Sequence, residues 1–290
     1  MYAISTDQRQ YLTYILQDTA QNAMVEVVPE RGGIITRWQI AGQDILYMDW
    51  ERFADPDLSI RGGIPILFPI CGNLPDNAYD CEGQTYRLKQ HGFARNLPWM
   101  VTAQQTESDA SLSLQLTSNE HTLMVYPFEF ALDFTYRLQG NGLILHQRYT
   151  NRSQAAMPFS IGFHPYFPVT DKPQLQFQIP ATEYQDQITK TNHAFSGTFD
   201  FEVAEIDVAF AHLSSHVASV TDPQRSHRLT FSFSPEFSTL VFWTVKGKDF
   251  YCLEPWSAPR NALNTGDRLL HLEPGASLET EFKLMLETVA

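Results

Sequence analysis

Apolar and polar residues alternate with a period of two through much of this chain, the signature of strands that bury one face. The alternation is clearest over 111–117 and 131–138, and Gly140-Asn141-Gly142 then supplies a hairpin turn into 143–149. Nearer the start the pattern predicts strands over 24–28, 34–40 and 45–47 with turns at 29–33 and 41–44, a meander. Later strands are expected over 175–179, 229–233, 239–243 and 278–284. The first 20 residues, polar with scattered aromatics, read as an edge strand or a short helix. No long segment carries a 3.6-residue period, so the chain reads as all-β. Roughly fifteen or more short strands suggest two large antiparallel sheets packed face to face. There is no repeat, low-complexity tract or Gly/Ser linker, and residues 1–290 are expected to form a single domain.

Composition narrows the partners. Hydrophobic content of 43% and charged content of 18% fit a folded chain with a sizeable core rather than disorder. The net charge of −13 argues against nucleic acid or an anionic membrane surface, both of which reward clustered Lys and Arg. No apolar run approaches the roughly 20 residues of a membrane helix. Cys71, Cys81 and Cys252 show no zinc-type pair spacing, and no secretory signal opens the chain, so reduced thiols in a cytoplasmic protein are expected.

Candidate chemistry gathers first in residues 61–96. Arg61-Gly62-Gly63-Ile64-Pro65 sets a fork of donors against a tight turn, and Gln90-His91-Gly92-Phe93-Ala94-Arg95 places a histidine beside a glycine. Alone, each is equally readable as an ordinary turn. Two later stretches share the character: His164 among aromatics in 159–168, and Glu254 flanked by Leu253, Pro255 and Trp256. A carboxyl in such apolar company is desolvated, which raises its pKa and makes it a usable general base.

Arg61 in Arg-Gly-Gly-Ile-Pro, His91 in His-Gly-Phe-Ala-Arg, His164 in Phe-His-Pro-Tyr-Phe, Asp207 in Asp-Val-Ala-Phe and Glu254 in Glu-Pro-Trp occur in the order of the aldose 1-epimerase (mutarotase) family, which the chain resembles from about Met24 onward. The resemblance implies a galactose mutarotase-like antiparallel β-supersandwich. It implies that Glu254 takes the proton of the anomeric hydroxyl and His164 protonates the ring oxygen, with His91, Arg61 and Asp207 orienting the sugar. The partner implied is a hexose, or a hexose 6-phosphate held by Arg61, Arg95 and Gln90, as in the related hexose-6-phosphate epimerases. A carboxylate paired with an imidazolium supplies the base and the acid, and no metal or redox cofactor is required. Phe93, Tyr166, Trp243 and Trp256 offer aromatic faces to a sugar, and a monomer or weak homodimer is expected.

Other readings stay open at this point. A glycosidase would use Asp207 and Glu254 as its carboxylate pair, which leaves the histidines without a role. A noncatalytic sugar-binding module would use the same arginines and aromatics but would not need Glu254 and His164 to titrate. Ser160 lacks the Gly-x-Ser-x-Gly elbow of a serine hydrolase. His212 and His216 have the helical spacing of a metal pair, but no helical pattern or third ligand accompanies them.

Overall fold

The computed structural model describes residues 1–289. The N-terminal meander is larger than the sequence pattern suggests. Tyr2–Gln8, Leu12–Asp18, Ala23–Val28, Ile34–Ile40 and Gln43–Asp44 form a five-stranded sheet in chain order. The opening residues are thus two paired strands, with Tyr2 opposite Asp18 and Gln8 opposite Leu12. The strand expected at 45–47 is displaced to Gln43–Asp44. Ile45 and Leu46 are drawn into the main core, and the Tyr47 N–H donates to the Tyr166 carbonyl at 3.0 Å.

Two eight-stranded antiparallel sheets make up most of the rest. One runs Gln176–Gln178, Val217–Asp222, His227–Phe233, Ser277–Thr288, Gly142–Asn151, Phe130–Gln139, Ala110–Thr117, Met100–Gln105. The other runs Asn192–Ala194, Glu183–Asp186, Glu205–Phe210, Thr239–Val245, Phe250–Trp256, Gly162–Phe163, Ile66–Leu67, with Tyr166–Pro168 also paired to Phe250–Trp256. Rings from the two sheets meet between them: Phe163 with Phe282 at 5.2 Å, Phe167 with Phe231 at 5.4 Å and Phe177 with Phe242 at 5.1 Å. Each fully buried ring of this kind contributes about 1.5–3 kcal/mol. Among the described residues no helix is long and apolar enough to cross a membrane.

The strand Phe250–Trp256 is buried along its whole length. Alternate residues serve opposite faces: Tyr251 and Leu253 join the main core, while Phe250 and Cys252 pack with Tyr166, and Trp256 packs with Leu67, Cys71 and Val241. That second face carries the polar cavity described next.

Candidate active site

Strand register brings the chemistry together. Tyr166 pairs with Cys252 and Gly162 with Trp256, so His164, midway between, stands opposite Glu254. Its Nε2 lies 3.4 Å from Glu254 Oε1. Continuing across the sheet, Trp243 pairs with Cys252 and Asp207 with Trp243, while Val241 pairs with Glu254 and Ala209 with Val241. Asp207, Trp243, Cys252 and Tyr166 therefore form one row on the face away from the core, and Ala209, Val241, Glu254 and His164 form the next.

The Arg-Gly-Gly-Ile-Pro turn is stitched to this row. His164 N–H donates to the Pro65 carbonyl at 3.1 Å and Tyr166 N–H to that of Gly63 at 3.0 Å, and Phe163 and Gly162 pair with Ile66 and Leu67. At Gly63 φ is +62°, and a Cβ there would run into the Ile35 carbonyl oxygen, so the turn demands glycine. The same holds at Gly92, with φ +70° and the Phe68 carbonyl in the way. His91 itself has φ +66°, a strained backbone of the kind found at functional sites. Its N–H donates to the Gly72 carbonyl at 2.7 Å, and its Nδ1 accepts from the Gly72 N–H at 3.1 Å. The neutral ring then carries its proton on Nε2.

All eight residues expected at the site, Arg61, Gln90, His91, Arg95, His164, Asp207, Glu254 and Trp256, line one cavity of about 250 Å³. Tyr166 and Trp243 line it too. Phe93 does not: its ring packs on Phe68 and Phe130, half-buried against the hydrophobic core. A larger cavity of about 570 Å³ adjoins across Trp256 and Arg260, which line both. The titratable pair belongs to the smaller one.

Burial pushes the Glu254 carboxyl well above the ordinary carboxylate range, and the Asp207 charge adds to this. Arg260 and a hydrogen bond from Trp256 Nε1 to Glu254 Oε2, 3.1 Å long, pull the other way. Burial, then Arg95, pushes His164 down to about 3. His91 is held well below its ordinary value by burial, Arg95 and His164. Burial therefore favours the neutral imidazole and the neutral carboxyl over the imidazolium and carboxylate anticipated from sequence. Both arrangements hold one proton, so the second is reached by moving that proton across the 3.4 Å contact.

Arg260 is the residue that sequence reasoning missed. Its Nη2 donates to both carboxylate oxygens of Asp207, at 3.0 and 2.9 Å, and its guanidinium lies 5.4 Å from the Trp256 ring centre. Asp207 is thus held by a cation rather than left open as a simple acceptor; burial raises its pKa and Arg260 opposes the rise. The only available signal was a lone arginine six residues after Glu254. Glu205 also lines the cavity, and its Oε1 accepts from Trp243 Nε1 at 2.7 Å.

Among the described residues, one group of potential metal ligands lies close together, His164, Cys252 and Glu254, with donor atoms within 4.8 Å of one another. Burial pushes the Cys252 thiol well above its ordinary value, which disfavours the thiolate that binds metals. His212 and His216 are not part of that group and lie in a segment without helix. All three cysteines are free.

Fold and site together define a β-sandwich that sets a buried imidazole against a buried carboxyl within a polar, arginine-rimmed cavity. The family model for aldose 1-epimerase matches residues 14–284, and the chain belongs to that family: it is an isomerase of the aldose 1-epimerase type. Slr1438 from Synechocystis is 49% identical, with a TM-score of 0.95 over 99% of this chain and 100% of that one. A galactose mutarotase-like protein from Clostridium acetobutylicum, 19% identical, shares the fold at a TM-score of 0.85 over 99% of each chain. A Cenchrus ciliaris protein provisionally named glucose-6-phosphate 1-epimerase is 27% identical over 264 residues, 84% of this chain and 73% of that one.

Proposed function

We propose that this protein interconverts the α and β anomers of an aldohexose, with Glu254 as base and His164 as acid. The observation that carries this reading is the pair itself: two buried titratable groups, opposed in register 3.4 Å apart. In the working form Glu254 carboxylate takes the proton from the hydroxyl on C1, and His164 imidazolium gives its proton to the ring oxygen. The C1–O5 bond breaks with its electron pair going to O5, and C1 becomes an aldehyde. Rotation about C1–C2 presents the other carbonyl face, and the same two groups, with roles reversed, close the ring. His91 Nε2–H, Arg61, Arg95, Gln90 and Asp207 orient the hydroxyls, and Trp256 holds Glu254. The strands contributing to the main core, from Leu16 to Leu286, support reading residues 1–290 as one domain. The free cysteines suit a reducing, cytoplasmic setting.

A hexose 6-phosphate is favoured as a second reading by charge. Arg61, Arg95 and Arg260 converge on the cavity, yet Asp207 is committed to Arg260 and Glu205 accepts from the Trp243 indole. Among the described residues the Arg61 side chain makes no hydrogen bond to protein, and its guanidinium rests 5.9 Å from the Trp243 ring centre. A local positive excess in a chain of net charge −13 suits a phosphate. The provisional name of the Cenchrus ciliaris relative points the same way.

The test is polarimetry of freshly dissolved α-D-glucose and α-D-galactose beside a coupled assay on glucose 6-phosphate, with wild type and Arg61→Ala. Fast equilibration of a free hexose supports the first reading. Turnover of the phosphate alone, with KM rising at least about tenfold in Arg61→Ala, the scale of one charge-assisted contact, supports the second. No acceleration of any of these sugars would sink both.

A further inference from the structure

The larger cavity shares the sheet face that carries the catalytic pair. It is lined by small side chains on the strands Glu205–Phe210 and Thr239–Val245: Ala209 and Val241, in the row of Glu254, and Thr239, in the row of Trp256. Larger side chains there would fill the space, and the 570 Å³ that results lies within the roughly 300–1,000 Å³ typical of ligand pockets. Residues of the hairpin formed by Glu183–Asp186 and Asn192–Ala194 line it too, as do residues from 259–268.

The chemistry of these walls is that of carbohydrate recognition. Asn73, Gln185, Gln187, Asn192 and Asn261 bring side-chain amides, a group that offers donor and acceptor together as a pair of vicinal hydroxyls requires; Gln187 Nε2 also donates to Gln185 Oε1 at 3.1 Å, and Asn261 Oδ1 accepts from Asn264 Nδ2 at 2.7 Å. The aromatic rings of Tyr184 and Trp256 are the apolar complement. Backbone strain marks the same place. Lys190, Asn261 and Arg268 all have positive φ, at +61°, +66° and +50°, and all three line this cavity. Strain at non-glycine residues concentrates at ligand clamps. Arg268 is also fixed in place, its Nη1 donating to the Ala211 and Ser238 carbonyls and to Thr239 Oγ1. Trp256 and Arg260 line this cavity and the catalytic one alike.

We propose that this cavity is a second saccharide subsite, contiguous with the first, that takes the glycosidically linked units of a reducing oligosaccharide whose terminal ring occupies the catalytic cavity. The inference rests on the proposed epimerase reading only for the placement of that terminal ring. Ligands of this kind gain affinity from each added unit until the cavity is filled.

The test is calorimetric titration of wild type with glucose, maltose and maltotriose, alongside polarimetry of the same sugars. Two variants accompany it: Asn192→Trp, which fills the cavity from its exposed rim, and the milder Gln187→Ala/Asn192→Ala, which strips amides from that rim. Maltotriose is expected to bind at least about tenfold more tightly than glucose, the gain of one to two good hydrogen bonds. Both variants should remove that advantage and leave glucose affinity and turnover unchanged. Equal affinity for glucose and maltotriose in wild type would overturn the subsite, as would variants that weaken both sugars alike. Because binding is read separately from turnover, tight maltotriose binding without catalysis would uphold the subsite while refuting the epimerase reading. Catalysis on glucose without preference for the longer sugars would do the reverse.

Discussion

Glu254→Gln is the substitution that isolates proton transfer from everything else the site does. Glu254 Oε2 accepts from Trp256 Nε1 at 3.1 Å, and Oε1 faces His164 Nε2 at 3.4 Å. A glutamine can offer its oxygen to the indole and its NH2 to the imidazole nitrogen, so both contacts survive. Only the ability to accept the anomeric proton disappears. General base catalysis contributes about 10²–10⁴-fold, or about 2.7–5.5 kcal/mol of barrier, and kcat should fall by that factor with sugar affinity nearly intact. Stability should move in the opposite direction. A carboxyl whose folded pKa is raised by burial contributes stability below the ordinary carboxylate range and loses it as pH rises, because the unfolded chain ionises first. The glutamine variant escapes this cost, so it should melt higher than wild type at pH 8, with the gap closing toward about pH 4. Polarimetric kcat, calorimetric affinity and melting curves across pH measure all three effects. Unchanged kcat would refute the assignment of the base. A melting temperature lower than wild type at pH 8 would refute the claim that the carboxyl is held neutral at a cost.

Two further outcomes follow from the same geometry. On the proposed mechanism the pair works while it holds one proton, and the acid limb is the uptake of a second proton by His164, whose pKa burial pushes down to about 3. kcat/KM should therefore stay level through the range near pH 6.5 where an ordinary imidazole titrates and decline only toward about pH 3; a limb near 6.5 would contradict the burial argument. Arg260→Leu should strand Asp207, whose side chain is only 17% exposed, and cost about 3–5 kcal/mol in denaturant unfolding, with a raised KM. Adding Asp207→Asn should recover much of that stability but not the KM, and a double variant as unstable as the single one would argue that the pair is not coupled.

The period of two made most of the architecture legible in the sequence, because a strand with one buried face must alternate. It misled at 45–47, where an apolar run belongs to the core rather than to a sheet. Over the first 20 residues it left an edge strand and a short helix both open, because Tyr2–Gln8 lies at the sheet edge and both strands there are only partly buried. Glu254 was legible because a carboxylate among Leu, Pro and Trp contradicts its surroundings. Phe93 was misread as a sugar platform, since local sequence does not tell which side of a turn an aromatic ring takes. Arg260 escaped because its meaning lies in Asp207, which is remote in sequence and meets it only across folded strands. The resting protonation of the pair was also hidden, since it depends on how completely His164 and Glu254 are buried and on Arg95.

The acid/base pair is carried on backbone that is hydrogen-bonded on the sheet, with core packing beneath it, whereas Arg61, Gln90, Arg95 and the 183–194 and 259–268 walls come largely from turns and loop-borne edges. On the proposed mechanism, reaction and selectivity are therefore separable in this molecule. Exchanging a turn should retune which sugar is accepted while leaving the proton chemistry untouched, but a one-residue slip in Phe250–Trp256 would present Leu253 in place of Glu254. Substrate range can drift through insertions at the rim, and the chemistry itself tolerates no change of length in that strand.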